Sequence, residues 1–306
     1  MLAITEWKIF HDAEEKQALS FGYKRAFFGH NLDIDDRLKW LSLSASSASC
    51  DIEEVIYDND SARLIFSRLG TYSINELSHI QKFSGKVLFD ATSLLLPELL
   101  YLMDWAHATN QLFDVIYVEP DGYAYEHKSK VGLQGLDYSL SEDGPGLCML
   151  PRFVFPMEDS RLVVGLGYES HRFGAMLSSD EISPQNITGV LAVPPFVLGW
   201  ETNSYSKNHR IMDQARKDCD ASFMSTAAND PIQNYKVLSE LLQSEKALRK
   251  RPKIHLAPIG TKPAALAMAW FAINNKGVSV LYDFIKKKPK RTEGVGKVHL
   301  WEFSKD

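Results

Sequence analysis

Two stretches of the chain share one hydrophobic pattern: a short apolar run, a polar turn, a longer segment rich in Leu and Ala, and a second apolar run. They span residues 86–118 and residues 253–282. Each short run predicts a buried strand, and each longer segment predicts a helix. A polar turn between strand and helix predicts a parallel βαβ unit with a right-handed crossover. The pattern therefore predicts an α/β protein.

Weaker signals predict elements around these two units. Residues 161–167 predict a strand that ends in glycines, and residues 189–195 predict a strand stopped by two prolines. Residues 231–250 predict an amphipathic helix, because Asp230 can serve as its N-cap and basic residues crowd its last turn. These elements extend the α/β pattern through the second half of the chain.

Three other segments have short patterns. Residues 61–69 place apolar side chains three or four apart and precede Gly70, which predicts a helix. Residues 41–50 are small and polar, which predicts a loop. Residues 298–303 alternate apolar and polar positions, which predicts an edge strand.

The two βαβ patterns match in detail. Each turns through a threonine, Thr92 or Thr261, and each ends on a strand that carries a tyrosine, Tyr117 or Tyr282. This match predicts two Rossmann-like halves related by duplication. The alternative is that buried parallel strands and crossover helices resemble one another in any α/β fold.

The run Gly144-Pro145-Gly146 predicts a boundary between the halves at about residue 150. Residues 1–150 carry a net charge of −11 and residues 151–306 a net charge of +6, which together give the −5 of the 306-residue chain. This asymmetry predicts that any anion-binding site lies in the second half. Alternatively, the two halves attract each other or a partner.

Composition excludes several classes of protein. No apolar run reaches the ~18–20 residues that a membrane span needs, so we expect no membrane contact. The first residues lack the basic and apolar segments of a secretory signal. Cys50, Cys148 and Cys219 fit neither a disulfide framework nor a zinc pattern, and the nine histidines form no metal-binding motif. We expect a cytoplasmic protein without a metal or cofactor.

The strongest candidate site is the loop Gly260-Thr261-Lys262-Pro263 between the strand and the helix of the second βαβ unit. Glycine lets the backbone approach an anion, threonine can cap the helix, and proline suits the first helical turn. Helix N-terminal amides and the lysine charge favour phosphate. The motif of nucleotide-hydrolysing P-loops is missing. The alternative is a well-capped helix with a solvated lysine.

The equivalent loop of the first unit is Asp90-Ala91-Thr92-Ser93. Ligands of α/β sheets bind beyond the carboxyl ends of the strands, so this loop is a second candidate. Asp90 can contact a ribose hydroxyl. Alternatively, loop amides hold Asp90 while Thr92 and Ser93 cap the helix.

A third candidate follows the strand at residues 161–167. Gly165 and Gly167 form a GxG turn, and Glu169 and Arg172 follow it closely. A lone GxG is weak evidence for a site, but the two charged residues indicate a loop that faces a ligand rather than a plain connection.

Charged segments complete the candidate chemistry. The basic runs at residues 246–253 and 286–291 are either solvated faces or a rim that attracts a polyphosphate, a cyclic oligonucleotide or nucleic acid. Asp121, Glu126 and Lys128 can be interpreted as a nuclease-like cluster. The chain contains no GxSxG nucleophile elbow. No catalytic residue is assigned.

A strand, then Gly-Thr-Lys-Pro, then a helix of small residues, then a strand ending in tyrosine resembles the CARF and SAVED sensor domains of prokaryotic antiviral defence. The resemblance is specific over residues 253–288 and weaker over residues 86–117. It implies a Rossmann-like fold, and a cyclic oligonucleotide bound at the loop matching residues 260–263. It covers no effector module.

Three hypotheses about function follow. The first is a ligand-sensing or scaffold protein of a bacterial antiviral defence system, which binds a nucleotide-type or other phosphate-bearing ligand and signals to a separate effector. The expected protein partner is that effector or further copies of the same chain in a homo-oligomer. The second is a nuclease-like enzyme acting on nucleotides or nucleic acid through Asp90, Glu169 and the segment 121–128. The third is a pure protein-interaction subunit of a defence complex.

Overall fold

The computed structural model describes residues 1–12, 15, 22–30, 36–47, 50–123, 141–156, 160–178, 186–218, 220–248, 253–287 and 292–305. Strands and helices are mixed along the chain, which confirms the α/β class. The chain forms two compact units. The first comprises Met1–Ala124 with Lys287–Asp306, and the second comprises Tyr125–Lys286.

The described strands of the first unit are β1 (Leu2–Phe10), β2 (Arg25–Gly29), β3 (Asp51–Asp58), β4 (Arg63–Phe66), β5 (Gly70–Ser73), β6 (Val87–Asp90), β7 (Phe113–Val118), β8 (Gly122–Tyr123), β15 (Thr292–Glu293) and β16 (Val298–Lys305). Its described helices are α1 (Asp36–Ser47) and α2 (Leu96–Thr109), with a 3-10 turn at Leu77–His79.

The described strands of the second unit are β9 (Ser141–Met149), β10 (Arg161–Leu166), β11 (Asn186–Ala192), β12 (Asp220–Thr226), β13 (Ile254–Pro258) and β14 (Val278–Lys287). Its described helices are α3 (Ser170–Leu177), α4 (Trp200–Asp218), α5 (Pro231–Leu248) and α6 (Lys262–Asn274).

One eight-stranded sheet organises the first unit, in the order β1-β16-β7-β6-β2-β3-β4-β5. Its centre is parallel, because β2 pairs in parallel with both β3 and β6, and β6 pairs in parallel with β7. The remaining strands at both ends pair antiparallel with their neighbours. The predicted unit of strand, helix and strand at residues 86–118 is confirmed as β6, α2 and β7.

The structure of helix α2 explains why the sequence predicted this unit correctly. Pro97 lies in the first turn, where its missing amide costs nothing, and most of the helix is buried. Trp105 packs in the core and donates its indole N–H to the carbonyl of Ile80 at 3.2 Å. Asn110 ends the helix in the left-handed conformation, with φ 56°.

Two local predictions in the first unit are wrong. Residues 61–69 contain strand β4, whose side chains alternate between exposed and buried, with Leu64 and Phe66 facing the core. Gly70, with φ 98°, begins β5 at the end of the β4–β5 turn rather than ending a helix. Residues 41–47 belong to helix α1, because Leu41 and Ala45 lie four positions apart and pack into the core.

The C-terminal strand is not the edge strand that its pattern predicts. Strand β16 lies between β1 and β7 and pairs antiparallel with both. Strand β1 covers it along its whole length, so Trp301 and Phe303 are buried. The N-terminal strand therefore removes the exposed edge.

A six-stranded sheet organises the second unit, in the order β12-β11-β10-β13-β14-β9. Strands β10 to β14 are parallel, and a helix follows each of β10, β11, β12 and β13. The chain steps outward from β10 to β12, then returns to place β13 on the other side of β10. The direction of winding therefore reverses between β10 and β13, which is where doubly wound sheets bind ligands.

Helix α6 is buried on all sides, which explains its run of small and apolar residues. Trp270 stacks on Tyr235 of α5 with ring centroids 3.9 Å apart, so the two helices pack closely. The sequence predictions of β13, α6 and β14 are confirmed with shifted ends. Within the part of the chain that the structure describes, no helix is long and apolar enough to cross a membrane.

Candidate functional site

Two glycine loops meet where the winding of the second sheet reverses. A Cβ placed on Gly165, in β10, would lie 3.4 Å from the amide nitrogen of Gly260, which follows β13. A Cβ on Gly260 would lie 3.2 Å from the carbonyl carbon of Gly165. The two backbones therefore pack directly on each other, and a side chain at Gly260 would require the backbone of Gly165 to shift. The structure brings these two predicted site residues together.

The loop Gly260-Thr261-Lys262-Pro263 forms the N-terminus of α6. Thr261 is the N-cap, and its hydroxyl accepts a hydrogen bond from the amide of Ala264 at 3.4 Å. The same hydroxyl donates to the carbonyl of Ala228 at 2.9 Å. The predicted cap is confirmed, and it leaves Lys262 and Pro263 as the first two helical residues. A capped helix N-terminus of this kind presents amides and a positive dipole end to an anion.

A narrow crevice lies beside this helix terminus. Its walls come from the ends of β10 and β11, from Thr226 at the end of β12, from Asn234 of α5 and from residues 260, 261 and 264. The volume of the crevice is about 200 Å³ when the space open to solvent is included. The centre of a water-sized group can occupy only about 10 Å³ of that volume. None of the residues that line it carries a charged side chain.

Polar residues of α4 hold the glycine loop after β10 in place. The amide of Asn208 donates to the carbonyl oxygen of Gly167 at 2.8 Å, and the hydroxyl of Ser204 donates to the same oxygen at 3.3 Å. Both side chains are buried. Sequence reasoning missed them, although two polar residues four positions apart on the buried face of a helix are a readable signal.

The charged residues after Gly167 form an ion-pair cluster. Arg172 of α3 donates from Nε to Oδ2 of Asp283 at 2.7 Å, and its guanidinium lies 3.9 Å from Oε2 of Glu169. The side chains of Arg172 and Asp283 are 11% and 13% exposed. Glu169 and Arg172 do not line the crevice. Much of the Arg172 charge is balanced within the protein by Asp283, which sequence reasoning missed.

In the equivalent turn of the first unit, the polar side chains are hydrogen-bonded to backbone amides of the protein. The Asp90 carboxylate accepts hydrogen bonds from the amides of Thr92 and Ser93 at 2.8 and 3.1 Å. The Ser93 hydroxyl accepts from the amide of Gly29 at 2.8 Å, and the Thr92 hydroxyl accepts from the amide of Val118 at 3.1 Å. All three side chains are buried, and burial raises the pKa of the Asp90 carboxyl. The interpretation that loop amides hold Asp90 is confirmed. The expectation that Thr92 and Ser93 cap the helix is wrong, because the N-cap of α2 is Leu95 and no side chain of the described residues caps it.

Several candidate residues lie outside the described residues. They are Glu126 and Lys128 of the nuclease-like cluster, and residues 249–252 and 288–291 of the basic runs. Asp121 is described, and its amide donates to the carbonyl of Glu293 at 3.0 Å. Among the described residues, no group of three or more His, Cys, Asp or Glu is placed to hold a metal ion.

Comparison with solved structures finds a remote structural neighbour of this chain. No protein-family model and no curated protein matches the chain. Among solved structures, the chain is similar to the Cap4 SAVED/CARF-domain containing receptor of Acinetobacter baumannii, solved with the cyclic trinucleotide 3'3'3'-cAAA, at 12% identity and a TM-score of 0.28. The match covers 66% of this chain and 35% of the receptor, so it spans about a third of the receptor's length. Similarity at this level assigns no function.

Proposed function

We propose that the second unit binds a phosphate-bearing, nucleotide-type ligand at the carboxyl edge of its sheet, between β10 and β13. One observation carries the proposal: the glycine loop after β10 meets the capped N-terminus of α6 where the winding of the sheet reverses. In open parallel sheets this is the place where nucleotides bind.

The chemistry at the start of α6 suits a phosphate group. The first-turn amides of a helix have no partner within the helix, and the dipole adds positive potential at the same point. Lys262 adds a cationic side chain as the first residue of the helix. Residues 151–306 carry the positive charge of the chain, +6, which favours the approach of an anion.

We further propose that binding serves sensing rather than catalysis. The residues 260–263 resemble the ligand loop of CARF and SAVED domains, and the crevice beside them contains no charged side chain that would act as an acid or base. In this account the chain is a sensor or scaffold of an antiviral defence system, and a separately encoded effector receives its signal.

Calorimetric titration of the whole chain tests the binding step. The probes are inorganic phosphate, mononucleotides and cyclic oligonucleotides, and the proteins are the wild type, Lys262→Ala and the matched control Lys236→Ala. Lys236 lies exposed on α5 in the same unit. Because a charge-assisted contact contributes about 1.5–3 kcal/mol, we expect Lys262→Ala to weaken binding about 10- to 100-fold. Lys236→Ala should bind like the wild type.

The same titration discriminates the alternatives. Absence of binding by the wild type to every probe contradicts the proposed function and favours an interaction subunit, which stable co-purification with a partner would then support. Consumption of a nucleotide probe during the titration, lost in Asp121→Ala, favours the enzyme hypothesis. Equal binding by the wild type and Lys262→Ala places the ligand elsewhere.

A further inference from the structure

Thr226 lines the crevice, and its hydroxyl is buried without a hydrogen-bond partner within the described residues. Thr226 is the last residue of β12 and is 2% exposed. Its backbone carbonyl accepts a hydrogen bond from the amide of Val193 at 2.9 Å, so the backbone is satisfied. Its Oγ1 atom makes no hydrogen bond within the described residues. Buried hydroxyls are nearly always paired, so this one needs an explanation.

The other polar side chains of the crevice already have partners. The Thr261 hydroxyl donates to Ala228 and accepts from Ala264. The Asn234 amide donates to the carbonyl oxygens of Ala227 and Asp230, at 2.9 and 2.8 Å. Among the polar side chains that line the crevice, Thr226 is therefore the one whose hydroxyl has no hydrogen-bond partner within the described residues.

The size and charge of the crevice limit that group. About 10 Å³ of its interior accepts the centre of a water-sized group, which is about the space of one such group. An aromatic ring does not fit in that space, whereas a hydroxyl does. The absence of charged side chains from the lining disfavours a phosphate inside the crevice, since a buried charge needs a partner. A neutral group that both donates and accepts hydrogen bonds suits Thr226.

We propose that the crevice receives a sugar hydroxyl of the ligand and that Thr226 Oγ1 hydrogen-bonds to it. This inference rests on the proposed function, because it places the phosphate of the same ligand at the N-terminus of α6, which also borders the crevice. A sugar hydroxyl and a phosphate are adjacent groups in a ribonucleotide. The ligand class is therefore a ribose phosphate rather than a phosphate alone or a deoxynucleotide.

Titration with a matched pair of nucleotides tests the inference. The probes are adenosine 5′-monophosphate, its 2′,3′-dideoxy analogue and inorganic phosphate. The proteins are the wild type, Thr226→Val, Thr226→Ser and the control Thr202→Val, which alters an exposed threonine of α4. We expect the wild type to prefer the ribonucleotide over the dideoxy analogue by roughly tenfold, the worth of one hydrogen bond. Thr226→Val should lose the preference, and Thr226→Ser and Thr202→Val should keep it.

A stability measurement separates this role from a structural one. Valine has nearly the shape of threonine, so replacing a hydroxyl that has no partner in the free protein should leave the melting temperature unchanged or raised. A lowered melting temperature of Thr226→Val would show that the hydroxyl has an internal partner, which overturns the inference.

The remaining outcomes are also decisive. Equal affinity of the wild type for the ribonucleotide and the dideoxy analogue overturns the inference and leaves phosphate binding intact, as an ordered water on Thr226 would produce. Absence of binding to all three probes contradicts the proposed function, and the ribonucleotide assignment fails with it.

Discussion

Gly167 faces the carbonyl oxygen of Ile259 so closely that a Cβ placed on the glycine would lie 2.8 Å from that oxygen. The contact joins the loop after β10 to the residue just before Gly260. The side-chain amide of Asn208 donates a hydrogen bond to the carbonyl oxygen of Gly167 at 2.8 Å. The loop is therefore fixed between α4 and the start of the α6 loop, which gives the candidate phosphate site a defined shape.

Gly167→Ala should destabilise the protein and weaken nucleotide binding. The atom opposite the new methyl group belongs to the backbone and has no flexible side chain to move, so the loops must separate. Overpacking of this kind costs about 1–3 kcal/mol. Urea unfolding and calorimetric titration of the variant measure the two effects.

Gly122→Ala is the matched control for this substitution, because a Cβ at Gly122 would meet nothing within 4 Å. It should behave like the wild type in both measurements. Wild-type stability and affinity in Gly167→Ala would show that the contact between the loops does not shape the site.

The ion pair of Arg172 and Asp283 should stabilise the second unit. Both side chains are mostly buried and lie 2.7 Å apart, so Arg172→Ala leaves a buried carboxylate without its main partner. Removal of one member of such a pair costs about 3 kcal/mol. Unfolding by urea measures the loss, and the double variant Arg172→Ala with Asp283→Asn should recover part of it.

An exposed ion pair on the surface of α4 provides the comparison. Arg216 and Asp213 lie 3.4 Å apart on α4 with side chains 53% and 63% exposed. Asp213→Ala should change the free energy of unfolding by less than about 1 kcal/mol. A similar small effect of Arg172→Ala would mean that the buried pair does not organise the loop after β10.

The burial of His255 should make the free energy of unfolding depend on pH. His255 lies fully buried in β13, and burial lowers the pKa of its imidazole from the ordinary 6.5 to about 4. Between pH 6.5 and pH 4 the unfolded chain therefore binds a proton that the folded chain does not. Neutral His255 therefore makes its full contribution to the free energy of unfolding above pH 6.5. As the pH falls toward 4, the free energy of unfolding decreases by about 3 kcal/mol.

Urea unfolding at pH 7, 5.5 and 4.5 tests this dependence. His255→Leu should remove that part of the slope, whereas His171→Leu, which alters an exposed histidine of α3, should keep the wild-type slope. Parallel slopes for the wild type and His255→Leu would show that protonation of His255 is not linked to unfolding.

Strong periodic patterns made part of the fold predictable. The strands and helices at residues 86–118 and 253–282 were predictable because buried strands and buried helices differ in length and composition. The helix predicted at residues 61–69 was wrong because helix-like spacing over about two turns is too short to exclude a hairpin. The strand at residues 298–303 was predicted correctly, but its position at the edge of the sheet was wrong, because β1, which is far away in sequence, pairs with it.

The sequence predicted the loops that form the candidate site, but it did not predict that these loops contact each other. The glycine loop after β10 and the cap at Thr261 have local signals in the sequence. Their meeting depends on the order of strands in the sheet, which no local pattern encodes. Thr226 and Asp283 were missed for the same reason, since each has its role only through neighbours from other strands and helices.

Residue-resolved NMR titration of the whole chain with adenosine 5′-monophosphate tests the central claim most directly. The account predicts that the backbone amide signals of Gly165, Gly167, Gly260, Thr261 and Lys262 shift together and saturate with one binding constant. The signals of Thr92 and Ser93, in the equivalent turn of the first unit, should stay in place. Shifts confined to the first unit, or no shifts at any nucleotide concentration up to millimolar, would contradict the claim.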